Sequence, residues 1–172
     1  FFETAKNLNG DEAQLKQTLQ IANEIFDKFR KLHGLQKEWK TYLVAASLLC
    51  DSGRAISPIH SDLHSAYIAR CADIPALEDW ESKLIAELCK HNRGVKLSKK
   101  DMPFKKDAVL QKKFLKLLAL LRVTFALSFQ RREPLLFKRL MINSSTIRLI
   151  VDRKYDPELS VLRADQRRQI FE

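Results

Sequence analysis

The sequence predicts a mainly α-helical protein that ends in a small α+β piece. Three observations carry this. Apolar residues recur at alternating spacings of three and four through most of the first 130 positions, the period of a one-faced helix. Helix-stopping signals punctuate them at Gly34, Ser57-Pro58, Ile74-Pro75 and Asn92-Arg93-Gly94. After Glu133-Pro134 the period changes to alternation, the mark of strands.

Asn9-Gly10-Asp11 is a helix start, and Leu15, Leu19, Ala22, Phe26 and Phe29 then share one face up to a C-cap at Gly34. A second helix carries Trp39, Leu43, Ala46 and Leu49 and is expected to end near Gly53; Ala45 and Ala46 invite close approach of a neighbour. A third helix is expected over about Asp62–Ala72. A fourth runs through Trp80, Leu84, Ile85 and Leu88 to Lys90. After a basic loop, a long fifth helix spans about Ala108–Phe129. It is apolar over much of its circumference and therefore central to the core. Leu135–Ile142 and Thr146–Val151 read as two strands turning at Asn143-Ser144-Ser145, and Asp165–Phe171 as a further helix. Two strands are not stable alone, so the pair must lean on other structure. The expected division is a helical domain over 1–132, of about five to six helices, and an incomplete α+β subdomain with a β-hairpin over 133–172.

The 172 residues suffice for one good core. No apolar run is long enough to cross a bilayer. Phe1 opens no signal peptide, and in place of an initiator methionine it suggests a fragment of a longer chain. Cys50, Cys71 and Cys89 are odd in number and widely spaced, which favours reduced thiols and a cytoplasmic setting over a disulfide framework. With 31 Lys+Arg against 21 Asp+Glu the net charge is +10, a field that draws polyanions. The charge concentrates in Arg93, Lys96, Lys99, Lys100, Lys105, Lys106, Lys112, Lys113 and Lys116, interrupted only by Asp101 and Asp107. Such a ridge neutralises many phosphates at once. Nucleic acid competes for the same charge. However, only Phe104 offers an aromatic face between Lys96 and Lys113, and no base-reading motif stands out.

Leu43 to Arg93 holds the most informative words: LVAASLLCDSGRAI, then HSDLHSAYIARCADIP, then IAELCKHNRGVKL, followed by FLKLLALLRVTFAL on the fifth helix. In this order they resemble the C-terminal region of the exopolyphosphatase / guanosine pentaphosphate phosphohydrolase (Ppx/GppA) family. Its helical domain is similar to metal-dependent HD phosphohydrolases. The resemblance implies that Gln14, Cys50, Asp51, His60, His64 and His91 occupy positions of a degenerate HD site. Cys50 stands where the His-Asp dyad has histidine, and Gln14 about where the first helix would present one. With Cys50 and Gln14 in place of histidines the expectation is a site without metal and no catalytic residue in this chain, the alternative being zinc held by a Cys/His/Asp cluster of Cys50, Asp51, His60, His64 and His91. Catalysis, with Mg2+ or a similar cation, would belong to actin-like domains that this chain lacks; its four glycines, at 10, 34, 53 and 94, form no phosphate cradle. The implied ligand is inorganic polyphosphate, the implied assembly a homodimer, and the parent activity release of terminal orthophosphate. Guanosine pentaphosphate hydrolysis in the parent, or a degenerate HD domain sensing nucleotide or nucleic acid, are the alternatives. A Cys50 nucleophile has no supporting signature around it.

Overall fold

In the computed structural model the structure describes residues 1–9, 11–72, 77–93, 97–128, 137–142 and 147–151. Seven α-helices are described: α1 Phe2–Asn9, α2 Glu12–Lys28, α3 Arg30–His33, α4 Trp39–Leu49, α5 Ser61–Cys71, α6 Asp79–His91 and α7 Ala108–Leu127. A 3-10 turn, Ser52–Ala55, joins α4 to α5. The protein is mainly helical, as the sequence predicts.

Each boundary has a local cause. Asp11 caps α2 by accepting from the Gln14 N–H at 3.0 Å. Asp107 caps α7 with bonds from the Val109 and Leu110 N–H groups. Glu78 and Glu81 form a reciprocal capping box at the start of α6. Gly34 ends α3 in the left-handed conformation at φ 61°, where a side chain would be strained.

The helix expected from residue 11 to 34 is two helices, broken at Phe29. The break lets His33 turn back into the core. Its Nε2 lies 2.9 Å from the Phe26 carbonyl, and its Nδ1 accepts from the Leu35 N–H at 2.9 Å. Helix α1 escaped the sequence reading, because eight residues are too few to show a periodic face. The second helix stops at Leu49, short of Gly53, and passes into the 3-10 turn.

Helices α2, α4, α6 and α7 enclose the core, with Phe26, Leu43, Leu49, Leu84, Leu88, Phe114, Leu117 and Leu118 essentially inaccessible to water. Ala45 and Ala46 are fully buried on α4, which touches α2, α6 and α7. Trp80, expected on the apolar face of α6, is 38% exposed. It sits in the first turn of that helix, where its ring lies tilted against Trp39 and edge-on to Tyr42 and its Nε1–H donates to Glu78.

Helix α5 packs mainly on α6 and on the 3-10 turn. The fit at the turn is close. The Gly53 N–H donates to Ser65 Oγ at 2.9 Å, and Ser65 Oγ–H donates to the Cys50 carbonyl at 3.0 Å. Gly53 is needed here for space: a Cβ would stand 2.1 Å from the Ser61 carbonyl oxygen.

Beyond α7, Phe137–Ile142 and Ile147–Val151 are extended and run antiparallel, with Leu140 opposite Leu149 and an irregularity between Phe137 and Arg139. Residues 135–136, the turn at 143–145 and the helix expected over 165–171 lie outside the described residues.

Candidate functional site

Two regions hold the residues singled out by the sequence. One is a cleft of about 340 Å³ where α2 begins and where α4 and α7 end. Gln14 and Asp51 both line it, so the fold brings together two positions 37 apart in sequence. The Gln14 amide nitrogen donates to the Ser128 carbonyl at the end of α7. Its Oε1 is buried and has no hydrogen-bond partner. Asp51 Oδ1 lies 3.8 Å from Arg54 and 3.9 Å from Arg93, which links the end of α4 to the 3-10 turn and the end of α6. Arg93 also donates to Ser61 Oγ at the first residue of α5.

The other four degenerate-site positions do not join this pair in the cleft. Cys50 is buried, its thiol 3.5 Å from the Ser47 carbonyl. His60 is not helical: it precedes α5 in the left-handed conformation at φ 53°. His64 lies in the first turn of α5, and its N–H donates to the His60 carbonyl at 3.1 Å. His91 closes α6, with Nε2 3.2 Å from Glu87 Oε2 and its ring against Phe114. The His91 contact holds the Glu87 carboxyl below the ordinary range. The His91 carbonyl accepts two bonds from Arg122, whose guanidinium lies deep on α7.

This arrangement does not suit a metal ion. A cation site needs several deprotonated side chains converging on one point. Among the described residues no three His, Cys, Asp or Glu side chains do so. Where a metal would be held, Asp51 instead neighbours two arginines, and the Cys50 thiol faces a backbone carbonyl.

The second region is the basic segment after α6. Arg93, Lys99, Lys100, Lys105, Lys106, Lys112 and Lys116 are exposed; Lys113 is partly covered. Lys96 lies outside the described residues. The lysines do not all serve one purpose. Lys113 Nζ rests 4.5 Å above the Trp39 ring, Lys116 donates to the His33 carbonyl at 2.5 Å, and Lys105 donates to the Lys100 carbonyl at 2.7 Å. Those contacts join α7 to the end of α3 and the start of α4, and close the basic loop on itself. Phe104, at φ 56°, turns its ring onto Phe114 and away from any stacking role in solvent.

Sequence reasoning missed Asp11, Arg54 and Phe125 as neighbours of Gln14 and Asp51 in the cleft. Asp11 was visible only as part of a helix start, and Arg54 and Phe125 only as members of the words LVAASLLCDSGRAI and FLKLLALLRVTFAL. None of those signals reports a shared wall.

No described helix is long and apolar enough to cross a membrane. No curated protein matches the chain. Residues 3–168 match the family model described as Ppx/GppA phosphatase, domain III, and the span takes in every helix of the core and the cleft between them. The chain therefore belongs to the Ppx/GppA phosphatase family, of which it carries the C-terminal domain.

Proposed function

We propose that this chain is the polyphosphate-binding region of an exopolyphosphatase, and that bond breaking occurs in actin-like, Mg2+-dependent domains of the parent enzyme. The carrying observation is the concentration of exposed cations between Arg93 and Lys112 on a domain of a phosphatase family. Arg93, Lys99, Lys100, Lys106 and Lys112 are the side chains assigned to the polymer. Lys113 and Lys116 support them from below, through Trp39 and the His33 carbonyl. Residues 133–172 complete the region as a small α+β subdomain around a β-hairpin, and the parent works as a cytoplasmic homodimer.

The test is salt-dependent binding of polyphosphate against single-stranded DNA of equal charge. Each phosphate neutralised steepens the salt dependence by roughly 0.7–0.9 in log–log slope, taking nucleic acid as the guide. Reversing Lys99, Lys100, Lys106 and Lys112 to Glu is expected to flatten the slope by about 3. Equal or tighter binding of DNA would sink the reading in favour of a nucleic-acid sensor. Competition by guanosine pentaphosphate at lower concentration than polyphosphate would move the parent activity to that nucleotide.

A further inference from the structure

We propose that Arg30, Lys31 and Lys37 form a second cationic seat, joined to the basic segment across α7, so that long polyphosphate chains occupy both seats and short ones only the first. The second seat rests on the polyphosphate reading and adds to it three residues that the sequence did not single out.

The stretch from Arg30 to Lys37 carries three cations and no acid. All three side chains are exposed, and no described residue pairs with them. The acids that precede them are engaged: Asp27 holds Lys40 at 2.7 Å, and Glu24 holds Lys28 at 3.3 Å. Glu38, next in sequence, offsets at most one of the three charges. The local backbone is fixed from beneath. His33 ties α3 to the Phe26 carbonyl and to the Leu35 N–H, which leaves Arg30 and Lys31, earlier in the same turn, facing water.

Helix α7 connects this seat to the first. Lys116 donates to the His33 carbonyl at 2.5 Å, and Lys113 Nζ lies 4.5 Å above the ring of Trp39, two positions past Lys37. An ammonium that donates one N–H keeps its charge and two further donors. No acid occurs on α7, and its cap Asp107 is bound to the Val109 and Leu110 N–H groups. Lys112, Lys113 and Lys116 thus lead from the basic loop to α3. Burial lowers the His33 pKa first, and Lys116 and Arg30 lower it further, as cations converging from two elements should.

The seat suits a plain phosphate polymer. Trp39 is 6% exposed and covered by Lys113, so no ring is open for a base to stack on. A linear polyphosphate needs only cations at intervals, each releasing a counterion. Lys116 lies about 14 Å along α7 from the cap at Asp107. Tripolyphosphate is too short to hold the basic loop and α3 together, whereas a long chain bound at one seat meets the other as a tethered ligand.

The experiment uses the full 172-residue chain, long-chain polyphosphate, tripolyphosphate and single-stranded DNA of the same charge as the long polymer. Arg30, Lys31 and Lys37 are replaced together by Gln, with native helicity checked by circular dichroism. For long-chain polyphosphate the variant should bind more weakly, its log–log salt slope flatter by roughly 2–3. Tripolyphosphate binding should not change. In the wild type, 15N-edited NMR should show saturable amide shifts at Lys31, Gly34 and Lys37 with the long chain and none there with tripolyphosphate, which decides the matter even if the variant does not fold. Unchanged long-chain binding by the variant overturns the second seat and leaves the first standing. Equal weakening for both phosphates also overturns it, because a general loss of field would act on both. An equal loss of DNA binding overturns its assignment to polyphosphate. Failure of the wild type to bind either phosphate removes both seats together.

Discussion

Replacing Gly53 with alanine is expected to be among the most damaging single-methyl changes in the protein. The Cβ would lie 2.1 Å from Ser61 O, 2.4 Å from Ser65 N and 2.8 Å from His64 Cβ. Two of these are backbone atoms at the start of α5, so no rotamer change relieves the clash and the helix must move away. Overpacking of a well-filled site costs about 1–3 kcal/mol. Moving α5 also breaks the bonds from Gly53 N–H to Ser65 Oγ and from Ser65 to the Cys50 carbonyl, at about 1 kcal/mol each. The sum is roughly 3–5 kcal/mol. At about 2–4 °C per kcal/mol for a chain of this size, the midpoint should fall by roughly 6–20 °C. Equilibrium urea unfolding followed by far-UV circular dichroism measures the free energy, with Gly34→Ala as the comparison. At Gly34 no atom lies within 4 Å of the added Cβ, and only the positive φ of 61° is strained, for about 1–2 kcal/mol. A Gly53→Ala loss no larger than that of Gly34→Ala would refute the claim that α5 is pressed onto the turn. It would also remove the reason why Asp51, Arg54 and Arg93 are held together.

Other outcomes can be stated more briefly. Burial lowers the His33 pKa below 6.5, and its neutral ring both meets the Phe26 carbonyl and accepts from the Leu35 N–H. The unfolded chain then takes up a proton first as pH falls, so this stabilisation is complete above about pH 6.5 and is lost as pH drops toward the lowered folded value. Unfolding free energies between pH 7 and 5 should show that loss, and His33→Gln should remove its share. Cys71 is exposed, whereas Cys50 and Cys89 are buried and burial pushes the Cys89 thiol up to about 12. One thiol per native chain should therefore react with a disulfide reagent at pH 8, and three after unfolding. Tyr42→Phe removes a hydroxyl that donates to the Glu81 carboxylate and should cost about 1.5–3 kcal/mol in urea unfolding. The isolated chain supplied with Mg2+ and polyphosphate should release no orthophosphate in a colorimetric assay; turnover would place catalysis in this domain.

Much of the fold was legible because burial follows a helical period. Phe26, Leu43, Leu84, Phe114 and Leu117 were all visible as members of apolar faces, and all are buried. Gly34 was legible as a cap because only a residue tolerant of positive φ ends a helix that way. The break at Phe29 was not. Phe29 continues the apolar spacing and is itself buried, so periodicity cannot distinguish a helix that continues from one that restarts. The degenerate site was half legible. The resemblance pointed to Gln14 and Asp51, which share a wall, but also to Cys50, His60, His64 and His91, which do not line it. The basic segment was plain from composition. Which of its lysines are committed to Trp39 and to the His33 carbonyl was not, because those partners lie 74 and 83 positions away.

Charge, helical period and punctuation are properties of neighbours along the chain, and they determined the helical class, the polyanion-attracting field and the resemblance that led to the family. The tertiary structure alone decided that Gln14 keeps an amide oxygen without a donor beside Asp51 and Arg54, and that Cys50 faces a carbonyl. The reason is geometric. Hydrogen bonding and close packing act over about 3–4 Å through space, and only the crossing of α2, α4 and α7 brings residues so far apart in sequence within that range.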